Sequence, residues 1–245
     1  MKKILITRPM PEPVIAALEG FALDCRASNA PLSAQELRQS LAEYDAVLPT
    51  LGDAYDAGVF ADVPDPRAKL LANFGAGFNH IDIAAATAAG IKVTNTPGAV
   101  TEATADTALT LILMSARRAA EGERLVRAGL WEGWHPTQML GLHLTGKTLG
   151  IVRMGRIGQA IARRCHYGFE MAVKYTSRSP KSLDFPATYV AQLADLAAQV
   201  DVLVCAVPGG DETHHLINAD ILAAMQPPVA QDLDQFEQTV GAAQY

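Results

Sequence analysis

Residues 141–158 read GLHLTGKTLGIVRMGRIG, and the choice between two readings of this stretch decides the fold. Residues 141–148 fit G-x-x-x-x-G-K-[ST], a loop that cradles a nucleoside triphosphate. Residues 153–158 fit G-x-G-x-x-G, the dinucleotide fingerprint, with Arg153 in place of the first glycine. A phosphate loop has to follow a strand and open a helix, because the loop and helix N–H groups must face the phosphates. The first match has the order reversed. It follows a stretch without strand character, and Lys147-Thr148 runs directly into the strand-like Leu149-Gly150-Ile151-Val152. The second match has the right context: a strand over 148–152, a turn over 153–155 and a helix over 156–164. Ile157, Ala160 and Ile161 recur at helical spacing towards a sheet. Gly155 then lets the backbone approach a pyrophosphate, and Gly158 lets helix and strand pack closely. Arg153 is the departure, since a β-carbon at positive φ costs about 1 kcal/mol.

In a dinucleotide fold the end of the next strand selects the cofactor, a carboxylate there binding the ribose hydroxyl of NAD. Tyr175-Thr176-Ser177-Arg178-Ser179 offers none, and no acid occurs from Met171 to Leu183. Arg178, with Ser177, Ser179 and Lys181, suits a 2′-phosphate, which favours NADP over NAD. The alternative is that Arg178 is a solvated loop charge. Upstream, strands over 3–7, 45–49, 69–74 and 91–95 alternate with helices over 12–18, from Ser33 onward and over 81–89. Downstream, strands over 171–175 and 201–207 alternate with helices near 192–199 and 218–225. This spacing predicts parallel sheets covered on both faces. Ser33 with Glu36 reads as a capping box. The turn Asn95-Thr96-Pro97-Gly98 marks a domain boundary. One long helix is expected over 101–128, its apolar first half forming a buried connection between domains.

The 245 residues suffice for one large domain or two small ones. A net charge of −6 with no basic segment gives no support for a nucleic-acid or anionic-membrane partner. Cys25, Cys165 and Cys205 lie far apart without metal or disulfide spacing, and read as buried free thiols of a reducing compartment. The apolar run in MKKILITRP is too short for a signal peptide, and no run reaches membrane-spanning length. The expectation is a soluble, cytoplasmic protein with no membrane partner.

The chain resembles the D-isomer-specific 2-hydroxyacid dehydrogenase family, in its glyoxylate/hydroxypyruvate reductase branch. The resemblance rests on LANFGAGFNHID at 71–82, VTNTPG at 93–98, TEATAD at 101–106, GKTLGIV at 146–152 and ETHHLIN at 212–218. It implies hydride transfer between NADP (or NAD) and a small 2-oxoacid or 2-hydroxyacid. It implies backbone N–H groups of the loop Gly75-Ala76-Gly77 on the substrate carboxylate, with Leu51 lining the same pocket. Thr104 would sit near the nicotinamide, and the Arg156 and Ile157 N–H groups would meet the pyrophosphate between Gly155 and Gly158. Val207, Pro208 and Thr213 would flank the adenosine side. Trp134 matches a loop tryptophan that reaches into a neighbouring subunit's active site, so a homodimer is expected. His80 reads as a structural first-turn residue rather than a catalytic one.

Past Met225 the resemblance stops. The family's arginine, glutamate and histidine would follow there, whereas this chain reads Gln226-Pro227-Pro228-Val229-Ala230-Gln231; its last arginine is Arg178 and its last histidine His215. No catalytic residue is assigned, and the C-terminus is expected to be truncated. The expected fold class is α/β with two domains. Residues 1–98 form a flavodoxin-like substrate domain. Residues 99–227 form an incomplete Rossmann dinucleotide-binding domain with a parallel sheet. Residues 228–245 form a non-family tail, with Leu233, Phe236 and Val240 at helical spacing. Two functions stand side by side: an oxidoreductase reducing glyoxylate, hydroxypyruvate or a similar 2-oxoacid, and a catalytically inactive truncated homologue that retains folding, dimerisation or nucleotide binding.

Overall fold

Ile4, Leu5 and Ile6 are consecutive and all buried. A strand alternates its side chains between two faces, so such a run requires cover on both. In a computed structural model, which describes residues 1–225, this strand lies inside a parallel sheet. The chain runs β1 (Lys3–Ile6), α1 (Glu12–Ala16), β2 (Ala22–Cys25), α2 (Ala34–Glu43), β3 (Ala46–Leu48), α3 (Ala57–Ala61), β4 (Leu70–Ala72), α4 (Ile83–Ala88) and β5 (Lys92–Thr94). It continues through α5 (Thr101–Ala116), α6 (Ala119–Arg127), β6 (Thr148–Val152), α7 (Arg156–Phe169), β7 (Ala172–Thr176), β8 (Thr188–Tyr189), α8 (Leu193–Ala197), β9 (Val202–Cys205) and α9 (Ala219–Ala224). The chain divides into two compact units, Met1–Ala99 and the residues from Val100 onward. The expected end of the second domain at 227 and the tail at 228–245 lie outside the described residues.

The first unit is a five-stranded sheet in the order β2-β1-β3-β4-β5, every pair parallel. This is the flavodoxin-like order. Its core gathers Leu5, Leu37, Leu41, Val47, Tyr55, Phe60, Leu71 and Ile91. The capping box forms: the Glu36 N–H donates to Ser33 Oγ, and the Ser33 N–H donates to Glu36 Oε2 at 2.8 Å.

A buried ion pair ties the carboxyl ends of this sheet together. Asp53 is fully buried, and all its bonds are made: Oδ1 accepts from Arg8 Nη2 at 2.9 Å and from the Leu32 N–H at 3.0 Å. Its Oδ2 accepts from Thr7 Oγ1 at 2.7 Å and from the Thr50 N–H at 3.1 Å. Thr7 follows β1 and Thr50 follows β3, so one carboxylate joins two strand ends to the start of α2.

The second unit is a four-stranded parallel sheet in the order β8-β7-β6-β9. In sequence order within the unit this is 3-2-1-4, the first half of a Rossmann sheet. The amphipathic α7 buries Ala160, Ile161, Ala162 and Cys165 against Leu149, Ile151 and Met171.

Several expectations are corrected. The long helix over 101–128 is two helices, because Arg118 adopts φ 53° and interrupts the ladder. The freed Ala116 carbonyl accepts instead from the Leu142 N–H at 2.7 Å. The apolar half of α5 buries Ala105, Ile112 and Ala116 in the core of its own unit. Strand β2 was not expected; only Leu23 of it is half-buried, so it carries little apolar signal. Cys25 lies exposed on that strand rather than buried, while burial pushes the Cys165 thiol up to about 11.

The triphosphate pattern is explained by local packing. A β-carbon on Gly141 would lie 2.3 Å from the Ala116 carbonyl oxygen, so only glycine lets the loop reach the helix end. Gly146 sits at φ 75° in the turn before β6. Lys147 pairs with Asp201 at 3.6 Å, and a strand follows instead of a helix.

Asp53→Ala leaves the Arg8 guanidinium buried without its carboxylate. It is expected to destabilise the first unit by about 3–5 kcal/mol. Urea denaturation followed by circular dichroism measures this, and a loss under about 1 kcal/mol would show that Arg8 finds water instead.

Candidate functional site

In open α/β sheets, ligands bind at the carboxyl ends of the strands. Each unit places sequence-predicted residues there, Thr104 and Trp134 excepted, and the units are described separately.

In the second unit, β6 ends in a turn held by its neighbours. The Arg153 N–H donates to the Thr176 carbonyl at 2.8 Å, and the Met154 N–H donates to Ser177 Oγ at 2.8 Å. The Ala206 N–H donates to the Val152 carbonyl at 3.1 Å, bringing the end of β9 alongside. Gly155, Arg156, Ile157, Gly158, Ser177 and Val207 are thereby gathered at one end of the sheet. Arg153 adopts φ 73°, the left-handed conformation its position demands of a glycine. A β-carbon on Gly158 would lie 2.6 Å from the Arg153 carbonyl oxygen and 2.9 Å from Ile151 Cγ2, so Gly158 sets the approach of helix to strand.

Gly155 is different: a β-carbon there would meet nothing within 4 Å. The open space lies beside the start of α7, where no side chain caps the first N–H groups. Arg156 and Ile157 therefore present orphan donors and the positive end of a helix dipole to that space. A pyrophosphate fits both features.

Ser177 is committed to the Met154 N–H through its oxygen, leaving its own proton free to donate. Arg178 is exposed and lies 3.7 Å from the exposed Glu212 carboxylate, an ion pair of little worth that gives way readily to a stronger anion. Ser179 lies within 3.4 Å of Lys181 Nζ. After β9 the chain folds back on itself, with Thr213 Oγ1 donating to the Pro208 carbonyl at 2.8 Å and to the Gly210 carbonyl at 3.0 Å. Thr104 is exposed on the first turn of α5, and Trp134 is 82% exposed in the loop after α6. No hydrogen bond joins either to the turn after β6.

In the first unit, the loop Gly75-Ala76-Gly77 follows β4 with all three carbonyls engaged. Gly75 O accepts from the Thr96 N–H at 3.0 Å and from Asn73 Nδ2 at 3.2 Å. Ala76 O accepts from Asn95 Nδ2 and Gly77 O from Asn73 Nδ2, each at 2.8 Å. The Ala76 and Gly77 N–H groups have no acceptor among the described residues. Leu51 Cγ comes within 3.9 Å of where a Gly75 β-carbon would stand. Phe74 and Phe78 are both exposed beside the loop. The arrangement is a pair of free backbone donors with apolar side chains around them, suited to a small carboxylate carrying little else.

His80 closes the loop. Its Nε2 lies 3.0 Å from Asn73 Oδ1, and its Nδ1 is buried without a partner. Burial holds the His80 imidazole below its ordinary value, against a smaller upward pull from the Asp53 charge. Sequence reasoning assigned no role to Asn73 or Asn95. An amide inside Leu71-Ala72-Asn73-Phe74 was the available signal, since a buried polar side chain must find partners.

The chain is similar to known proteins of one family. Residues 109–230 match the family model described as D-isomer specific 2-hydroxyacid dehydrogenase, NAD binding domain. The glyoxylate reductase of Thermococcus onnurineus is 40% identical over 233 residues, which are 92% of this chain and 69% of that protein. The glycerate dehydrogenase of Hyphomicrobium methylovorum is 38% identical over 89% of this chain and 68% of its own. Among solved structures, a Thermus thermophilus protein superposes with a TM-score of 0.82 at 40% identity, over 91% of this chain and 70% of that one. An NADPH-dependent glyoxylate/hydroxypyruvate reductase of Sinorhizobium meliloti, in complex with NADP and malonate, gives 0.74 at 34% identity, over 91% and 67%. The chain belongs to the D-isomer specific 2-hydroxyacid dehydrogenase family.

Two outcomes check the geometry. Arg153→Gly removes a left-handed non-glycine residue and is expected to raise stability by about 0.5–1 kcal/mol, measured by urea denaturation. The second concerns acid. The folded state disfavours protonated His80, so its contribution is full above about pH 6.5 and declines as pH falls below that value. Denaturation midpoints at pH 7.5 and 5.5 should fall further for the wild type than for His80→Gln; equal drops would show that His80 is not a linked group.

Proposed function

We propose that this chain acts as an NAD(P)H-dependent reductase of glyoxylate, hydroxypyruvate or a similar small 2-oxoacid. The first unit serves as the substrate domain and the second as the NAD(P)-binding domain. The supporting observation is the loop Gly75-Ala76-Gly77, whose carbonyls are all engaged and whose Ala76 and Gly77 N–H groups are free. These donors hold the substrate carboxylate, and Leu51 lines the pocket beside it. The names of the similar glyoxylate reductases and glycerate dehydrogenase point to the same substrates.

When bound, the nicotinamide would supply the hydride for the carbonyl carbon, and the carbonyl oxygen would take its proton from water. The chain's own residues do the positioning. Arg156 and Ile157 N–H groups receive the pyrophosphate, Gly155 leaves room for it and Gly158 keeps α7 close to β6. Thr104 lies near the nicotinamide, and Val207, Pro208 and Thr213 flank the adenosine. Ser177, Arg178 and Ser179 receive a 2′-phosphate, with Arg178 exchanging its weak pairing with Glu212 for a charge-assisted one. His80 has its Nε2 committed to Asn73 and acts as a brace rather than a proton donor.

The partner is a second copy of the chain. Val126, Leu130, Trp131 and Leu140 form an exposed apolar stretch along α6 and the loop after it. Trp134 is 82% exposed, which suits a side chain that completes the substrate pocket of the other copy.

NADPH oxidation on adding glyoxylate or hydroxypyruvate tests the reaction directly, in a preparation of confirmed mass free of host reductases; no consumption above background contradicts it. Fluorescence titration is expected to show tighter binding of NADPH than of NADH. Arg178→Ala should erode that preference about tenfold, in keeping with one charged hydrogen bond. Equal wild-type affinities would rule out the 2′-phosphate role. Sedimentation should show a dimer at micromolar concentration, and a stable monomer would remove Trp134 from the substrate pocket.

A further inference from the structure

The free N–H groups of the substrate loop require their peptide planes to be held in one orientation, and two side chains do this. Asn73 is 2% exposed, and its Nδ2 faces two carbonyl oxygens, Gly75 O at 3.2 Å and Gly77 O at 2.8 Å. Only an NH2 group can bond two acceptors, so this end of the amide is the nitrogen and the other end is the oxygen. That oxygen lies 3.0 Å from His80 Nε2. An amide oxygen only accepts, so His80 carries its proton on Nε2. The orphaned Nδ1 is then the lone-pair nitrogen of a neutral ring. Every atom type in the chain is fixed by the next one.

The imidazole is itself held in place. The Tyr55 N–H donates to the His80 carbonyl at 2.9 Å, and Tyr55 is fully buried with its hydroxyl 2.8 Å from Ser40 Oγ. The Asp82 N–H donates back to the Tyr55 carbonyl at 2.8 Å, and the Asp82 side chain caps α4. The ring therefore projects from a rigid frame, not from a free loop.

We propose that Asn73 and His80 are positioning residues for substrate-carboxylate recognition. His80, as the Nε2–H tautomer, locks the orientation of the Asn73 amide. Asn73 in turn draws the Gly75 carbonyl inward, which turns the Ala76 N–H of the same peptide plane outward, and its second bond pins the Gly77 carbonyl at the far end of the loop, while Asn95 holds the Ala76 carbonyl and with it the plane of the Gly77 N–H. Without the imidazole donor the buried amide oxygen is left unpaired, and the amide must shift to find a partner, giving up part of its hold on both carbonyls. That shift loosens the loop. The proposal rests on the reading of this loop as the carboxylate site.

The experiment separates the two claims and needs no turnover. The probe is oxamate, a carboxylate beside an unreactive carbonyl, titrated into the full 15N-labelled chain at pH 7.5. Saturable amide shifts are expected at Ala76 and Gly77. Their absence in the wild type would overturn the carboxylate reading, and the positioning roles with it. With those shifts present, the variants decide the positioning claim. His80→Phe keeps an aromatic ring without the donor, and is expected to raise the oxamate Kd about tenfold. His80→Gln restores an N–H for the Asn73 oxygen and is expected to recover most of that loss. Asn73→Ala should weaken oxamate at least as much as His80→Phe, with NADPH affinity unchanged in all three. A Kd for His80→Phe within twofold of the wild type, or equal weakening in His80→Phe and His80→Gln, would overturn the proposal; so would a wild-type ring protonated at Nδ1 in 15N spectra. If Asn73→Ala fails to fold, the two His80 variants and the tautomer settle the matter.

Discussion

The carboxylate of Asp53 is the fixed point of the first unit. Its four hydrogen bonds come from Arg8, Leu32, Thr7 and Thr50, which belong to three separate segments. A buried charge with any of these missing would cost several kcal/mol, so the segments stay together or the site is lost. Thr50 precedes Leu51, and Phe74 donates its N–H to the Pro49 carbonyl just before the Gly75 loop. The position of the Gly75-Ala76-Gly77 loop thus follows from an ion pair that lies outside it. The same carboxylate also acts on the His80 ring through space.

The two ligand-facing turns solve one problem in different ways. A βα turn must present backbone N–H groups outward, and something has to keep them there. At the turn after β6, helix geometry does it: α7 leaves its first N–H groups orphaned, and Gly158 fixes how closely the helix approaches the strand. At the turn after β4, the next helix begins only at Ile83 and has six residues. Side-chain amides do the work there, Asn73 and Asn95 turning the carbonyls away. The first solution is written in glycines and is easy to find. The second is written in asparagines, whose roles depend on which carbonyls the folded chain brings near.

This explains what the sequence made legible. The βα alternation and the dinucleotide turn came from hydrophobic spacing and from the strand–turn–helix order around Gly155. The reversed order at Gly141 correctly argued against a triphosphate loop, and the structure adds that Gly141 and Gly146 serve a close contact and a turn. The break in the helix over 101–128 was hidden, because Ala, Arg and Glu all favour helix and the Ala116 carbonyl is captured by the distant Leu142 N–H. Strand β2 was hidden because an edge strand facing solvent loses the apolar pattern. The Asn73–His80 link was hidden because it spans seven residues through space and neither residue is unusual by itself.

Because both sheets are parallel throughout, no strand pairs with its neighbour through a tight hairpin. The consequence is temporal. Strand β1 finds β2 after about twenty residues of chain, whereas β6 registers with β9 only across the interval from Leu149 to Val202. Contacts so distant close slowly, since the loop entropy is lost before the ladder forms. On a ribosome the first unit emerges and condenses while the nucleotide sheet still waits for its last described strand. Between those moments β6, the most buried strand of its unit, has one flank uncovered, an unpaired apolar edge open to another chain.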